Sequence, residues 1–128
     1  MPKKKIIVAD DQDEIVSMLD DFLTSKGYEV LGLEDAKQFV KAAKNFQPDL
    51  ILLDLLMPNL DGFEICRILN SDPDSQAIPI IIMSGLNDLV DIKRAYTLGV
   101  VGYLTKPFDL KVVLTEIEKA IANKENPQ

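Results

Sequence analysis

The sequence predicts an α/β fold: one domain built on a five-stranded, parallel, doubly wound sheet with helices on both faces. Three observations carry that prediction. Runs of β-branched residues and leucine at Lys5 to Ala9, Tyr28 to Leu33, Leu50 to Leu53, Ile78 to Met83 and Val100 to Thr105 have the unbroken apolar character of strands buried on both sides. Segments of helical periodicity separate them over short connections, which favours right-handed crossovers. Four of the runs end on residues that can handle phosphate or a metal ion: Asp10 and Asp11, Asp54, Ser84, and Lys106. Parallel strands finish on one edge of their sheet, so these residues should meet in a single crevice. Five strand-helix units are too few for a closed eight-stranded barrel.

Each helix has its own signals. Ile15, Leu19, Phe22 and Leu23 share a face of the first, with a cap at Asp13 and a stop at Gly27. Ala36, Phe39, Val40 and Ala43 do so in the second, which the turn signal at Pro48 closes. In the third, Phe63, Cys66 and Leu69 form the stripe between a start at Asp61-Gly62 and an end at Asn70-Ser71-Asp72-Pro73. The fourth spans Asn87 to Leu98, with Leu89, Ile92 and Tyr96 in register and Gly99 as its stop; the fifth carries Leu110, Leu114, Ile117 and Ile121.

Composition narrows the chemistry. A chain of 128 residues holds about one domain. Its core should run from about 5 to 123, with tails at 1–4 and 124–128. The formal net charge of -7 and the dispersal of the basic residues leave no stripe suited to DNA phosphates, so direct nucleic-acid binding is not expected. The run Lys3-Lys4-Lys5 reads as a solvated tail. With no histidine and a single cysteine, Cys66, a disulfide framework, a Cys-His nucleophile pair and the common zinc ligand sets are excluded. Cys66 shares a helical face with Ile65 and Leu69 and reads as a buried, inert thiol. Apolar runs fall short of the roughly 18 residues of a membrane span, and the lysines precede no signal-peptide pattern; a cytoplasmic protein is expected.

Asp54 is the most informative residue. It sits where the apolar run Leu50-Ile51-Leu52-Leu53 gives way to a turn. Gathered with Asp10 and Asp11, it would face like charges that repel by roughly 4 kcal/mol at 4 Å and an effective dielectric of 20. A divalent cation offsets that repulsion, and oxygen ligands favour magnesium, or manganese in its place, over softer metals. Taken singly, the aspartate pair could cap the first helix, Ser84 could cap the fourth, and Lys106 could be a salt-bridge partner. Together they form a set that can hold a phosphoryl group: Asp54 as nucleophile, metal and Lys106 neutralising phosphoryl oxygens, Ser84 donating a hydrogen bond. The acidic turn Ala9-Asp10-Asp11-Gln12 has no Gly-x-Gly-x-x-Gly fingerprint, and the chain has no Gly-x-x-x-x-Gly-Lys-Ser/Thr; dinucleotide cofactors and ATP are disfavoured.

From about Lys5 to Asn123 the chain resembles the receiver domain of two-component response regulators, CheY-like proteins. The resemblance rests on Asp10-Asp11, Asp54-Leu55-Leu56-Met57-Pro58 with Asp61-Gly62, Ser84-Gly85 and Lys106-Pro107-Phe108, in the family's order. It implies a flavodoxin-like sheet in which Asp54 takes a phosphoryl group from a phosphohistidine on a sensor histidine kinase or histidine phosphotransferase. It further implies magnesium on Asp11, Asp54 and the Leu56 backbone carbonyl, with Asp10 acting through water. The peptide bond before Pro107 should be cis, and Tyr103 should be the switch aromatic that follows Ser84. Phosphorylation would then alter the surface of the fourth helix, fifth strand and fifth helix and so control an effector. The protein would be no enzyme beyond its own phosphorylation and dephosphorylation.

Two departures from the family pattern carry expectations of their own. Leu56 and Leu86 stand where many members have polar residues, and apolar groups cannot orient an attacking water, so a long-lived aspartyl phosphate is expected. Gly99-Val100-Val101-Gly102-Tyr103 lacks, at Val101 and Gly102, the charged residues that DNA-binding members pair across a dimer; the chain should be a monomer or at most a weak phosphorylation-dependent dimer. Two rivals remain. A magnesium-dependent phosphatase of the haloacid dehalogenase kind would need a second aspartate where Leu56 stands. A receiver-like module that no longer takes phosphate would have lost the acidic pair, the aspartate or the lysine.

Overall fold

The computed structural model describes residues 2–34, 38–57, 60–85 and 88–125, apart from the side chain of Leu60. Strand and helix alternate throughout: β1 Lys5–Ala9, α1 Asp13–Ser25, β2 Glu29–Leu33, α2 Phe39–Phe46, β3 Leu50–Asp54, α3 Gly62–Ser71, β4 Ile80–Ser84, α4 Leu89–Thr97, β5 Gly102–Thr105 and α5 Leu110–Glu125. The five strands are parallel, in the order β2-β1-β3-β4-β5. A two-residue antiparallel bridge between Leu56–Met57 and Leu60–Asp61 lies outside this sheet, between β3 and α3. Because the chain leaves β1 in one direction and β3 in the other, a crevice opens at the carboxyl ends of these neighbouring strands.

Alternation along the strands feeds two cores. Ile7, Ala9, Ile51, Leu53, Ile80 and Ile82 pack with Phe39, Ala43, Phe63, Cys66, Leu69 and Ala95 under α2, α3 and α4. Ile6, Val8, Leu50, Leu52, Ile81 and Met83 pack with Leu19, Leu23, Val113, Ile117 and Ile121 under α1 and α5. Every residue of β3 is buried, including Asp54. Such burial stabilises by roughly 25 cal/mol for each Å² of apolar surface removed from water, and it fixes the strand that carries the carboxylate.

Several local expectations are corrected. Asp13 is the first residue of α1 and not its cap; Gln12 holds the cap position, where its carbonyl accepts from the amides of Ile15 and Val16. The carboxylate that orders this turn is Asp10, which accepts from the Gln12 amide at 3.0 Å. The end of α1 is as expected: Gly27 takes φ +94, and the amides of Gly27 and Tyr28 reach the carbonyls of Thr24 and Leu23. Lysines 4 and 5 are not free tail: Lys4 pairs with Glu125, while Lys5 opens β1 and its amide donates to Asp49 Oδ2 at 2.8 Å. At the other terminus α5 continues to Glu125, past the expected core limit at 123. Its buried stripe is Val113, Ile117, Ala120 and Ile121, with Leu110 and Leu114 only half-buried.

The largest correction concerns α4. Two of its three expected stripe residues face outward, Leu89 at 61 % and Tyr96 at 47 % exposed, Ile92 is half-buried, and only Ala95 is fully buried. The cap is Asp88, whose side chain accepts from the Val90 amide at 2.8 Å. Ala36, Pro58, Leu86 and Asn87 lie outside the described residues.

Candidate phosphoryl-acceptor site

The strand-end residues come together. Asp10, fully buried, follows β1; Asp54, 5 % exposed, ends β3; Asp11 is exposed beside them. One carboxylate oxygen from each of the three lies within 4.8 Å of the others. Lys106, just after β5, donates to Asp10 Oδ2 at 2.7 Å and stands 3.4 Å from Asp54 Oδ2. Ser84 ends β4, the strand next to β3, with Met83 in register with Asp54. Its carbonyl accepts from the Lys106 amide at 2.7 Å, which ties the ends of β4 and β5 together.

Electrostatics follow from this packing. Burial first, and the charge of Asp10 second, push the Asp54 carboxyl up to about 6, while the Leu56 amide and Lys106 pull the other way. The Leu56 amide donates to Asp54 Oδ1 at 3.3 Å. One ammonium among three carboxylates leaves the crevice with excess negative charge, which a divalent cation would relieve. The donor set is all oxygen, suiting a hard cation. Asp10 has both oxygens engaged, Oδ2 by Lys106 and Oδ1 by the Gln12 amide. Asp54 is engaged more loosely, Oδ1 by the Leu56 amide at 3.3 Å and Oδ2 by Lys106 at 3.4 Å, and Asp11 is exposed, so these two are the freer ligands.

Tyr103 lies on β5, half-buried against the α3–α4 core. Burial, with Asp91 of α4 in support, raises its pKa, and the Ser84 side chain, close to the hydroxyl, pulls the other way. The two expected switch residues are thus neighbours. The Lys106-Pro107 peptide bond is cis.

Gln12 is a neighbour that the sequence did not single out: its Oε1 accepts from Lys106 Nζ at 3.3 Å. Its place two residues after Asp10 was the only available signal. Gly62 is another. A Cβ there would sit 2.7 Å from Leu55 Cα and 3.1 Å from the Asp54 carbonyl oxygen, so glycine lets α3 start against the backbone that carries Asp54. Leu56 is 61 % exposed next to the carboxylate. Cys66 is fully buried, and burial pushes its thiol up to about 12, as an inert core cysteine requires.

A family model described as "Response regulator receiver domain" matches residues 6–118. The chain belongs to the response regulator receiver family. The receiver chain is 36 % identical over 125 residues to the probable transcriptional regulator ycf27 of Cyanophora paradoxa, covering 98 % of this chain and 51 % of that protein. It is 34 % identical over 122 residues to the alkaline phosphatase synthesis transcriptional regulatory protein PhoP of Bacillus subtilis (strain 168), covering 95 % and 50 %. The chain spans about half the length of these relatives. Among solved structures, the CheY-like response regulator receiver domain protein of Methanospirillum hungatei JF-1 superposes with a TM-score of 0.92 at 22 % identity, covering 99 % of this chain and all of that one. That likeness bears on the fold, which is CheY-like. A receiver domain is generally not a classical enzyme. No described helix is long and apolar enough to cross a membrane.

Proposed function

We propose that this receiver domain accepts a phosphoryl group on Asp54 from a phosphohistidine of a sensor histidine kinase or histidine phosphotransferase. A carboxylate oxygen of Asp54 attacks phosphorus and the phosphorus–nitrogen bond breaks. The electron pair stays on the donor imidazole, and the product is a 4-aspartyl phosphate. The observation that carries this reading is the convergence of Asp10, Asp11, Asp54 and Lys106 on one crevice, with Ser84 on the adjoining strand end. Asp54, held near pKa 6, is mostly ionised at neutral pH and needs no separate base.

Asp11 and Asp54, with the Leu56 carbonyl, would hold magnesium, or manganese in its place, and Asp10 would act on it through water. The bound ion would supply positive charge opposite the phosphoryl oxygens. Lys106, already between Asp10 and Asp54, would swing its ammonium to those same oxygens. Ser84 would turn its hydroxyl from Tyr103 to the phosphoryl group, leaving Tyr103 to settle further into the space it vacates. The neighbouring surface of α4, β5 and α5 would then present itself differently to an effector by population shift. Leu89, Val90, Tyr96 and Val101, all exposed, give that surface an apolar character suited to a protein partner.

Incubation with acetyl phosphate and magnesium should label the protein once, as an acyl phosphate. Asp54→Asn should abolish the label, and Asp11→Ala or Lys106→Ala should weaken it severely. Robust labelling of Asp54→Asn at another residue would overturn the assignment.

A further inference from the structure

We propose that Arg94 is a positioning residue for Asp54, acting through the stack of its guanidinium on Phe63. The guanidinium carbon of Arg94, in α4, lies 4.0 Å from the centroid of the Phe63 ring. Phe63 is the second residue of α3 and 7 % exposed, and its amide donates to Asp61 Oδ1 at 2.9 Å. One residue earlier, the Gly62 amide donates to the Leu55 carbonyl at 3.0 Å. A Cβ on Gly62 would already be in conflict with Leu55 Cα, so no slack separates the start of α3 from the backbone carrying Asp54. Close-packed interiors transmit strain, and a shift of the Phe63 ring is therefore delivered to the Asp54 turn.

At its other end the stack reaches a helix with few other holds. Ala95 is the only fully buried residue of α4; Ile92 is half-buried, and Leu89, Val90 and Tyr96 face outward. Asp91, one turn before Arg94, is close enough to Tyr103 to raise the phenol's pKa. A single turn of α4 thus touches the first turn of α3 on one side and stands near Tyr103 on the other. Coupling of this kind is reciprocal: if α4 steadies Asp54, occupation of Asp54 alters how α4 is held.

This inference rests on phosphoryl acceptance at Asp54, and the experiment separates the two. Wild type, Arg94→Met and Arg94→Lys are compared for their rate of labelling by acetyl phosphate with magnesium, and for amide hydrogen exchange along α4 before and after labelling. Methionine keeps an apolar stem without charge; lysine keeps a cation that can sit on the ring. Arg94→Met should label about twofold to fivefold more slowly, the scale of an exposed cation on an aromatic face, and Arg94→Lys should recover most of the rate. In wild type, labelling should change exchange in α4, and in Arg94→Met that response should shrink. The amide resonances of Leu55 and Gly62 in the unlabelled Arg94→Met protein should also move. Wild-type labelling rate, unchanged Leu55 and Gly62 resonances and an intact α4 response in Arg94→Met would overturn the proposal, whatever its melting temperature. Unlabelled wild type with shifted Leu55 and Gly62 resonances in the variant would instead overturn the reading of Asp54 and leave the link from Arg94 to its turn standing.

Discussion

Asp54 combines burial with like charge, and a functional carboxylate so placed destabilises the fold that holds it. Its folded pKa of about 6 lies above the usual 3.8, so the folded state binds this proton more tightly than the unfolded chain. The stability that the proton contributes is full below 3.8 and is lost as pH rises through 6, a difference of roughly 3 kcal/mol at neutral pH. In urea denaturation with the metal chelated, Asp54→Asn should therefore be more stable than wild type at pH 7.5, by up to about 3 kcal/mol, and the two should converge near pH 4. A less stable Asp54→Asn protein at pH 7.5 would contradict the strained-carboxylate account. Leu56, 61 % exposed beside Asp54, has no polar atom on its side chain to orient a water for attack on the acyl phosphate. The phosphoryl group should persist well beyond seconds without a phosphatase, and Leu56→Asn should shorten its lifetime several-fold. Loss of radiolabel from isolated phosphoprotein measures both.

At the level of elements, Gly62 is the joint where one element is pressed against the backbone of another. Alanine there would put a methyl carbon 2.7 Å from Leu55 Cα, and relief requires α3 or the Asp54 turn to move. Gly62→Ala should cost about 1–3 kcal/mol of stability, the range of overpacking, and should slow labelling at Asp54 as well. A variant with normal kinetics would show that the turn yields elsewhere. The strands and the acceptor residues were legible in the sequence because a strand buried on both faces tolerates few polar residues, so Asp54 after Leu50 to Leu53 marked its own end. Asp61 was legible as the start of α3, since its carboxylate caps the Phe63 amide at 2.9 Å. The orientation of α4 was not. Leu89, Ile92 and Tyr96 have the spacing of a helical stripe, yet spacing tells which residues share a face and not which face is buried. Phe63, Val100 and Tyr103 already fill the core beneath α4, leaving room for Ala95 and, in part, Ile92. The Arg94 stack and the Gln12 contact were equally silent, since each joins residues far apart in sequence, and the pairing depends on how finished elements dock.

On the scale of the whole molecule, the exposed apolar face of α4 and β5 raises the question of self-association. Leu89, Val90, Tyr96 and Val101 are all more than 45 % exposed and would gain from being covered. Two features oppose pairing through this face. The chain carries a formal net charge of -7, so two copies repel, and that repulsion is screened only beyond about 8 Å at physiological salt. Val101 supplies no charge to pair across such an interface, and Gly102 can supply none: it is buried, and a Cβ there would press on Ile81 Cγ1 at 3.3 Å. Beryllofluoride with magnesium, a stand-in for the phosphoryl group, alters this surface without adding charge pairs to it. Light scattering should therefore give a mass near 14.3 kDa both with and without beryllofluoride at micromolar concentrations. Raising the salt concentration tests the balance directly. If charge repulsion alone keeps copies apart, high salt should produce a dimer; if the missing charge pairs decide, the protein should stay monomeric. The second outcome is expected, because four apolar side chains offer too little complementary surface for a stable pair.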